Sequence, residues 1–114
     1  LITVASLIKN SLREYDIAGR YGGEEFTVLL DRAAKADAMI VAERIRETIQ
    51  NHDFVYNDQH LHVTISGGIT LVNSKVPVTN PVSNPNEFIN QADKGLYLSK
   101  NNGRNRVTFF DPNN

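Results

Sequence analysis

The sequence predicts an α/β fold, a sandwich in which helices flank an antiparallel-rich central sheet. Three observations carry that expectation. Apolar residues recur at helical spacing in three separate stretches, alternating and β-branched runs fall between them, and clusters of Gly, Pro and Asn mark the boundaries. With 114 residues and 40% hydrophobic content there is enough chain for one core, so residues 1–114 are expected to form a single domain.

Val4, Ile8, Leu12 and Tyr15 share one helical stripe, which predicts an amphipathic helix over residues 2–15. No Ser, Thr, Asp or Asn precedes it as a cap, so the chain is expected to begin inside a fold. Residues 17–21 and 25–30 read as two strands, with Phe26, Val28 and Leu30 on one face and Thr27 and Leu29 on the other. Gly22-Gly23 is expected to join them, because the primed hairpin turns need the positive φ that glycine adopts without steric cost. A second helix is predicted over 35–51, where Ala38, Val41, Ala42, Ile45 and Ile49 form a stripe that Glu43, Arg44, Arg46 and Glu47 largely avoid. Residues 54–56 and 61–72 read as strands turning near Asn57-Asp58, and Gly67-Gly68 marks a bulge or a close backbone approach. Residues 73–86, with Pro77, Pro81 and Pro85, read as a surface loop. Asn84 as cap, Pro85 at the first helical position and Glu87 in capping-box register open a third helix, which Asn102-Gly103 closes. Its buried face is expected to be Phe88, Ile89, Ala92 and Leu96, and residues 107–110 form a last strand ended by Pro112.

Twelve Lys plus Arg against thirteen Asp plus Glu leave a net charge of -1, with no basic excess to grip DNA or RNA. A small anionic ligand needs only local positive charge. No apolar run reaches the ~20 residues of a membrane span and no secretory pattern opens the chain. A cytoplasmic domain with no direct membrane insertion is therefore expected. The absence of cysteine excludes disulfides, thiolate zinc sites and a cysteine nucleophile.

Glu24 and Glu25 follow the paired glycines, where a hairpin tip offers carboxylates and backbone N–H groups to one small volume. Carboxylate oxygens suit magnesium, which binds through one or two carboxylates plus substrate phosphates. The competing reading is a plain Gly-Gly hairpin with a solvated acidic edge. A second cluster, Lys100, Gly103, Arg104 and Asn105, closes the third helix. A helix C-terminus carries partial negative charge, so Lys100 and Arg104 there either serve a phosphate or simply offset the dipole.

Arg20-Tyr21-Gly22-Gly23-Glu24-Glu25-Phe26 resembles the defining motif of the GGDEF family, the catalytic domains of diguanylate cyclases, in its variant with Glu at the third position. Ala42-Glu43-Arg44-Ile45-Arg46, Val63-Thr64-Ile65-Ser66 followed by Gly68, Ala92-Asp93 with Leu96-Tyr97 and Lys100, and Gly103-Arg104-Asn105 resemble its other blocks in order and spacing. The resemblance implies a nucleotidyl cyclase or ferredoxin-like palm fold, of which this chain lacks the first strand and helix, including a metal-binding aspartate and the guanine-reading residues. The segment alone is expected not to turn over GTP. It further implies that a homodimer condenses two GTP into cyclic di-GMP with Mg2+ (or Mn2+), and that the domain is the output end of a sensory chain, tethered in some members to a membrane sensor. By position, Gly22 and Gly23 make room for the nucleotide, Glu24 ligates metal with a part in deprotonating the hydroxyl as a further option, Glu25 assists metal binding, and Lys100 and Arg104 contact phosphate.

Arg13-Glu14-Tyr15-Asp16 ends five residues ahead of Gly22, the spacing of the family's product-inhibition motif, in which Arg and Asp bind cyclic di-GMP. Read alone, Arg13 and Asp16 are a helix ion pair at i, i+3. Arg44 corresponds to a secondary arginine of that site or is a solvated helix residue. Gly67 departs from the pattern, which more often has a larger apolar residue there. Two other classes compete. An RNA-binding strand would use Tyr21 and Phe26 for stacking, but Glu24 and Glu25 would put negative charge where phosphates run. A receptor that binds cyclic di-GMP without making it would need only Arg13 and Asp16. His60 and His62, two apart on a strand, read as an exposed polar face, since no third metal ligand is near.

Overall fold

The computed structural model describes residues 2–22, 25–30, 33–71 and 85–111. The chain divides into two compact units, Leu1–Thr64 and Ile65–Asn114.

The first unit opens with α1, Ile2–Asn10, whose Ile8 is buried. The helix stops five residues short of the predicted Tyr15. The Ser11 hydroxyl donates to Leu7 O at 2.8 Å, and the Ser11 N–H is shared between Leu7 O and Ile8 O. Asp16 then draws the chain into a turn: its Oδ2 accepts the Arg13 N–H at 2.9 Å, and its own N–H donates to Arg13 O at 3.0 Å. A side chain that takes over a backbone donor in this way competes with the helix. Tyr15 therefore leaves the apolar stripe, is exposed, and lies with its ring 4.7 Å from the Arg13 guanidinium.

Strands β1 (Ile17–Gly22) and β2 (Glu25–Leu29) pair antiparallel from Ile17↔Leu29 to Arg20↔Phe26, and then Gly22↔Glu25. Two residues advance on β1 against one on β2, so Tyr21 is the irregular position. Gly22 is thereby the last paired residue of β1, not the first residue of the turn, and the intervening Gly23 and Glu24 lie outside the described residues. The predicted alternation holds, with Phe26, Val28 and Leu30 half-buried and Thr27 and Leu29 exposed. Helix α2 spans Lys35–Asn51 as predicted and buries Ala38, Val41, Ile45 and Ile49, while Ala42 is half-buried. Off that stripe Arg46 bonds Glu43 at 2.9 Å and Gln50 at 2.8 Å. Strands β3 (Phe54–Tyr56) and β4 (Gln59–Leu61) form a hairpin whose two turn residues, Asn57 at φ 49 and Asp58 at φ 63, supply the positive φ of a primed turn.

The long strand expected over 61–72 is not continuous. Its first residue ends β4, His62–Ser66 join no ladder, and β5 is Gly67–Ile69. The two pieces serve different partners: β4 pairs with β3, whereas β5 pairs in parallel with β6, Val107–Phe109. Between β5 and β6 runs α3, Pro85–Asn101, making a βαβ unit. Two of the three described ladders are antiparallel, in keeping with the predicted α/β class. Val72 and residues 73–84, including the expected loop and the Asn84 cap, lie outside the described residues.

The contact between α3 and its strands is made by small residues. A Cβ on Gly68 would collide with Ala92 O and Leu96 N, and one on Gly95 would come within 2.7 Å of Thr108 O. Gly68 thus marks the close approach that the sequence offered as one of two options. The predicted face, Phe88, Ile89, Ala92 and Leu96, is only half-buried, while Ser99 is fully enclosed. Its hydroxyl lies 2.7 Å from both Gly67 O and Thr108 Oγ1, linking helix and both strands. Ser99→Ala is expected to cost about 1–3 kcal/mol in urea denaturation with an unchanged slope, because it strips the half-buried Gly67 carbonyl and Thr108 hydroxyl of a partner. Parental stability in that variant would remove the bridge from the account.

Candidate functional site

The glycine hairpin supplies the first group of candidates. Glu25 opens β2 opposite Gly22, with its side chain exposed. Gly23 and Glu24 are placed by sequence alone, between those two residues. In the second unit, Lys100 lies in the last turn of α3 and Arg104 three residues past its end, both exposed. Three successive positive φ values, Gly103 at 120, Arg104 at 63 and Asn105 at 48, turn the chain there. The turn is held by the Arg104 N–H donating to Ser99 O at 2.9 Å and by the Asn105 N–H donating to Ser66 Oγ at 3.1 Å. Two cations at a helix C-terminus offset its negative pole and leave donors facing solvent.

Arg13 and Asp16 are brought together as expected, but in the turn between α1 and β1 and not on a helix. Arg13 Nε and Nη2 donate to Asp16 Oδ2 and Oδ1 at 2.9 and 2.8 Å, a two-pronged pair. The Asp16 side chain is fully buried, and the Arg13 side chain is 31% exposed. Hydrogen bonding to Asp16 holds the Arg13 pKa above its ordinary value, against a smaller lowering by burial, so the guanidinium is charged at any physiological pH. Arg44, on α2, donates from Nη2 to Ser11 O at 2.5 Å. It is an exposed helix residue that also reaches the segment leading into Arg13. Sequence reasoning passed over Ser11, whose carbonyl takes this bond; the only available signal was its place next to the motif.

A family model described as diguanylate cyclase, GGDEF domain, matches residues 1–106. The chain belongs to the GGDEF family. This GGDEF chain is 42% identical over 110 residues to Diguanylate cyclase A of Treponema denticola, covering 96% of itself and 28% of that protein. It is 30% identical over 114 residues to diguanylate cyclase DgcZ of Escherichia coli, covering all of itself and 36% of the relative. It thus spans about a third of the length of these curated relatives. Among solved structures it resembles the GGDEF domain of DgcB from Caulobacter crescentus in complex with c-di-GMP, at TM-score 0.80 and 30% identity over 93% of this chain and 60% of that one. It also resembles the active GGEEF domain of a diguanylate cyclase from Vibrio cholerae, at TM-score 0.77 and 27% identity over 97% and 66%.

Among the described residues of the GGDEF chain, no three His, Asp or Glu side chains gather into a metal cage. The exposed carboxylate of Glu25 is a hard oxygen donor of the kind magnesium takes in ones or twos, completing its shell with phosphate and water. The donor chemistry fits that ion. His60 instead lies 2.7 Å from Asp53 Oδ1, and both it and His62 are exposed. Among the described residues no helix is long and apolar enough to cross a membrane.

Proposed function

We propose that the full-length protein is a diguanylate cyclase, joining two GTP into cyclic di-GMP and releasing two pyrophosphates where two copies face each other. In each half-reaction a 3'-oxygen forms a bond to the α-phosphorus of the other GTP, the α–β anhydride bond breaks, and pyrophosphate leaves with its electron pair. The hydroxyl proton passes to Glu24 or to water. Alignment and charge neutralisation supply most of the rate in such chemistry.

The observation that carries this reading is the hairpin register, which sets Gly22 against Glu25 inside a family match covering residues 1–106. Gly22 and Gly23 let the triphosphate approach the backbone, Glu24 and Glu25 hold Mg2+ or Mn2+, and Lys100 and Arg104 take the phosphates. When bound, the ion neutralises phosphate charge and makes the attacking hydroxyl more acidic. Arg13 and Asp16, with Arg44 on the adjoining segment, form the site at which cyclic di-GMP restrains synthesis. The domain acts in the cytoplasm as the output of an upstream sensory domain.

The test is direct. Full-length protein with GTP and Mg2+ is expected to release one pyrophosphate per GTP consumed and to yield cyclic di-GMP by chromatography, and excess EDTA is expected to stop both. A second reading, a receptor for cyclic di-GMP, is favoured by Arg13 and Asp16 bonding each other directly in the turn between α1 and β1. Tight binding of cyclic di-GMP with no product from GTP would establish the receptor and overturn the cyclase.

A further inference from the structure

Three residues in a row after α3 carry positive φ, and the middle one, Arg104 at φ 63, is the least suited to it. Gly103 has no Cβ to clash, and the short polar side chain of Asn105 is among those that visit the left-handed region, but a long side chain such as arginine's gains nothing there. Such a backbone persists where its surroundings hold it. The peptide plane between Arg104 and Asn105 is gripped at both ends. Its N–H, on Asn105, donates to Ser66 Oγ at 3.1 Å, and its carbonyl, on Arg104, accepts from Arg106 Nε at 3.1 Å. The two grips are unequal. Arg106 is exposed and its bond competes with water, whereas Ser66 and Asn105 are half-buried. Ser66 also stands directly before β5, where the Gly67 N–H donates to Arg106 O at 2.9 Å, so the ladder between β5 and β6 fixes the place of the hydroxyl.

We propose that Ser66 is a positioning residue for phosphate recognition: by holding the Arg104–Asn105 peptide it fixes the backbone from which the Arg104 guanidinium is presented. This role rests on the reading above in which Arg104 takes a phosphate of GTP. Released from Ser66, the turn relaxes out of the left-handed region and the guanidinium spreads over several directions, a freedom that must be given up again on binding. The bond does not touch the ligand, and the contact it supports serves the bound and the reacting nucleotide alike. Its effect should therefore fall on substrate affinity and leave the chemical step alone. The competing role is structural: Ser66 closes the turn as Ser99 closes the helix on its strands, with no bearing on the nucleotide.

The two roles separate in steady-state kinetics of the full-length protein with GTP and Mg2+, comparing the parent with Ser66→Ala, Arg104→Ala, the double variant and Ser99→Ala. Loss of the pre-set turn predicts a KM for GTP raised roughly three- to tenfold in Ser66→Ala with kcat near parental, the scale of freezing one long side chain on binding. The effect should vanish in the Arg104→Ala background, where no guanidinium is left to present. Ser66→Cys, which nearly keeps the volume but offers only a weak acceptor, is expected to match Ser66→Ala. Ser99→Ala keeps its carbonyl bond to the Arg104 N–H and should lower the melting midpoint with KM unchanged. A parental KM in Ser66→Ala and Ser66→Cys, beside a raised KM in Arg104→Ala, would sink the Ser66 assignment alone. So would an undiminished effect of Ser66→Ala in the Arg104→Ala background, an equal rise in KM in Ser99→Ala, or loss of folded protein in both Ser66 variants, each of which makes Ser66 a structural residue. If the parent makes no product from GTP, or Arg104→Ala keeps a parental KM, the phosphate reading falls and the Ser66 assignment with it.

Discussion

Gly68→Ala is expected to destabilise the βαβ unit by at least about 3 kcal/mol, lowering a thermal midpoint by roughly 10 °C or more. The added methyl would occupy space held by the Ala92 carbonyl oxygen and the Leu96 nitrogen, which are backbone atoms of α3 and cannot swing aside. Relief requires the helix to lift off β5, and that lift would break the Ser99 bonds to Gly67 and Thr108. The effect should therefore exceed that of Ser99→Ala, which loses the bonds but not the packing. Gly19→Ala is the control, because a Cβ there meets no atom within 4 Å. Melting both variants decides the matter: similar midpoints would mean that the helix is not held at contact distance by Gly68.

The parts of the fold that were legible from sequence are those where one physical signal acts alone. Helix α2 matched its predicted span because a 17-residue stretch carries an unbroken apolar stripe and no competing side-chain acceptor. Helix α1 did not, because Asp16 captures the Arg13 N–H and guanidinium, and periodicity contains no information about a carboxylate six residues past the helix end. The long strand over 61–72 failed for a different reason. Residues 61 and 67–69 are all strand, but they belong to different ladders, and a run of β-favouring residues does not reveal where its pairing partner changes. The buried face of α3 was missed at Ser99, since a hydrophobic stripe ignores a serine whose hydroxyl is satisfied by the oxygens of Gly67 and Thr108.

The places of the candidate site residues in the fold were legible to the extent that their signals are local. Glu25 opens β2 and Lys100 lies in the last turn of α3, with Arg104 in the turn that follows, all three exposed, and turn signals mark such places well. Which residues gather around Arg13 is another kind of question. Arg44 is 33 residues from Ser11, and only packing of α2 near α1 brings its guanidinium to that carbonyl.

Replacing both Glu24 and Glu25 by Ala in the full-length protein is expected to cut cyclic di-GMP synthesis at least ~100-fold, the scale of losing fixed electrostatic support for developing phosphate charge. Glu25 is exposed at the first position of β2, so its removal should leave stability within about 0.5 kcal/mol. A drop in turnover then reads on chemistry and not on folding. Glu25→Gln sharpens the result, because the amide keeps the shape and an acceptor oxygen but discards the charge that a divalent ion requires. If charge is what counts, the amide should resemble Glu25→Ala in initial rate at saturating Mg2+, whereas a purely steric role would spare it. Affinity for cyclic di-GMP at Arg13 should not change in any of these variants, since Arg13 and Asp16 bond each other in the turn between α1 and β1. Normal synthesis in the double variant would remove the carboxylates from the reaction and, with them, the reason to place GTP at this hairpin.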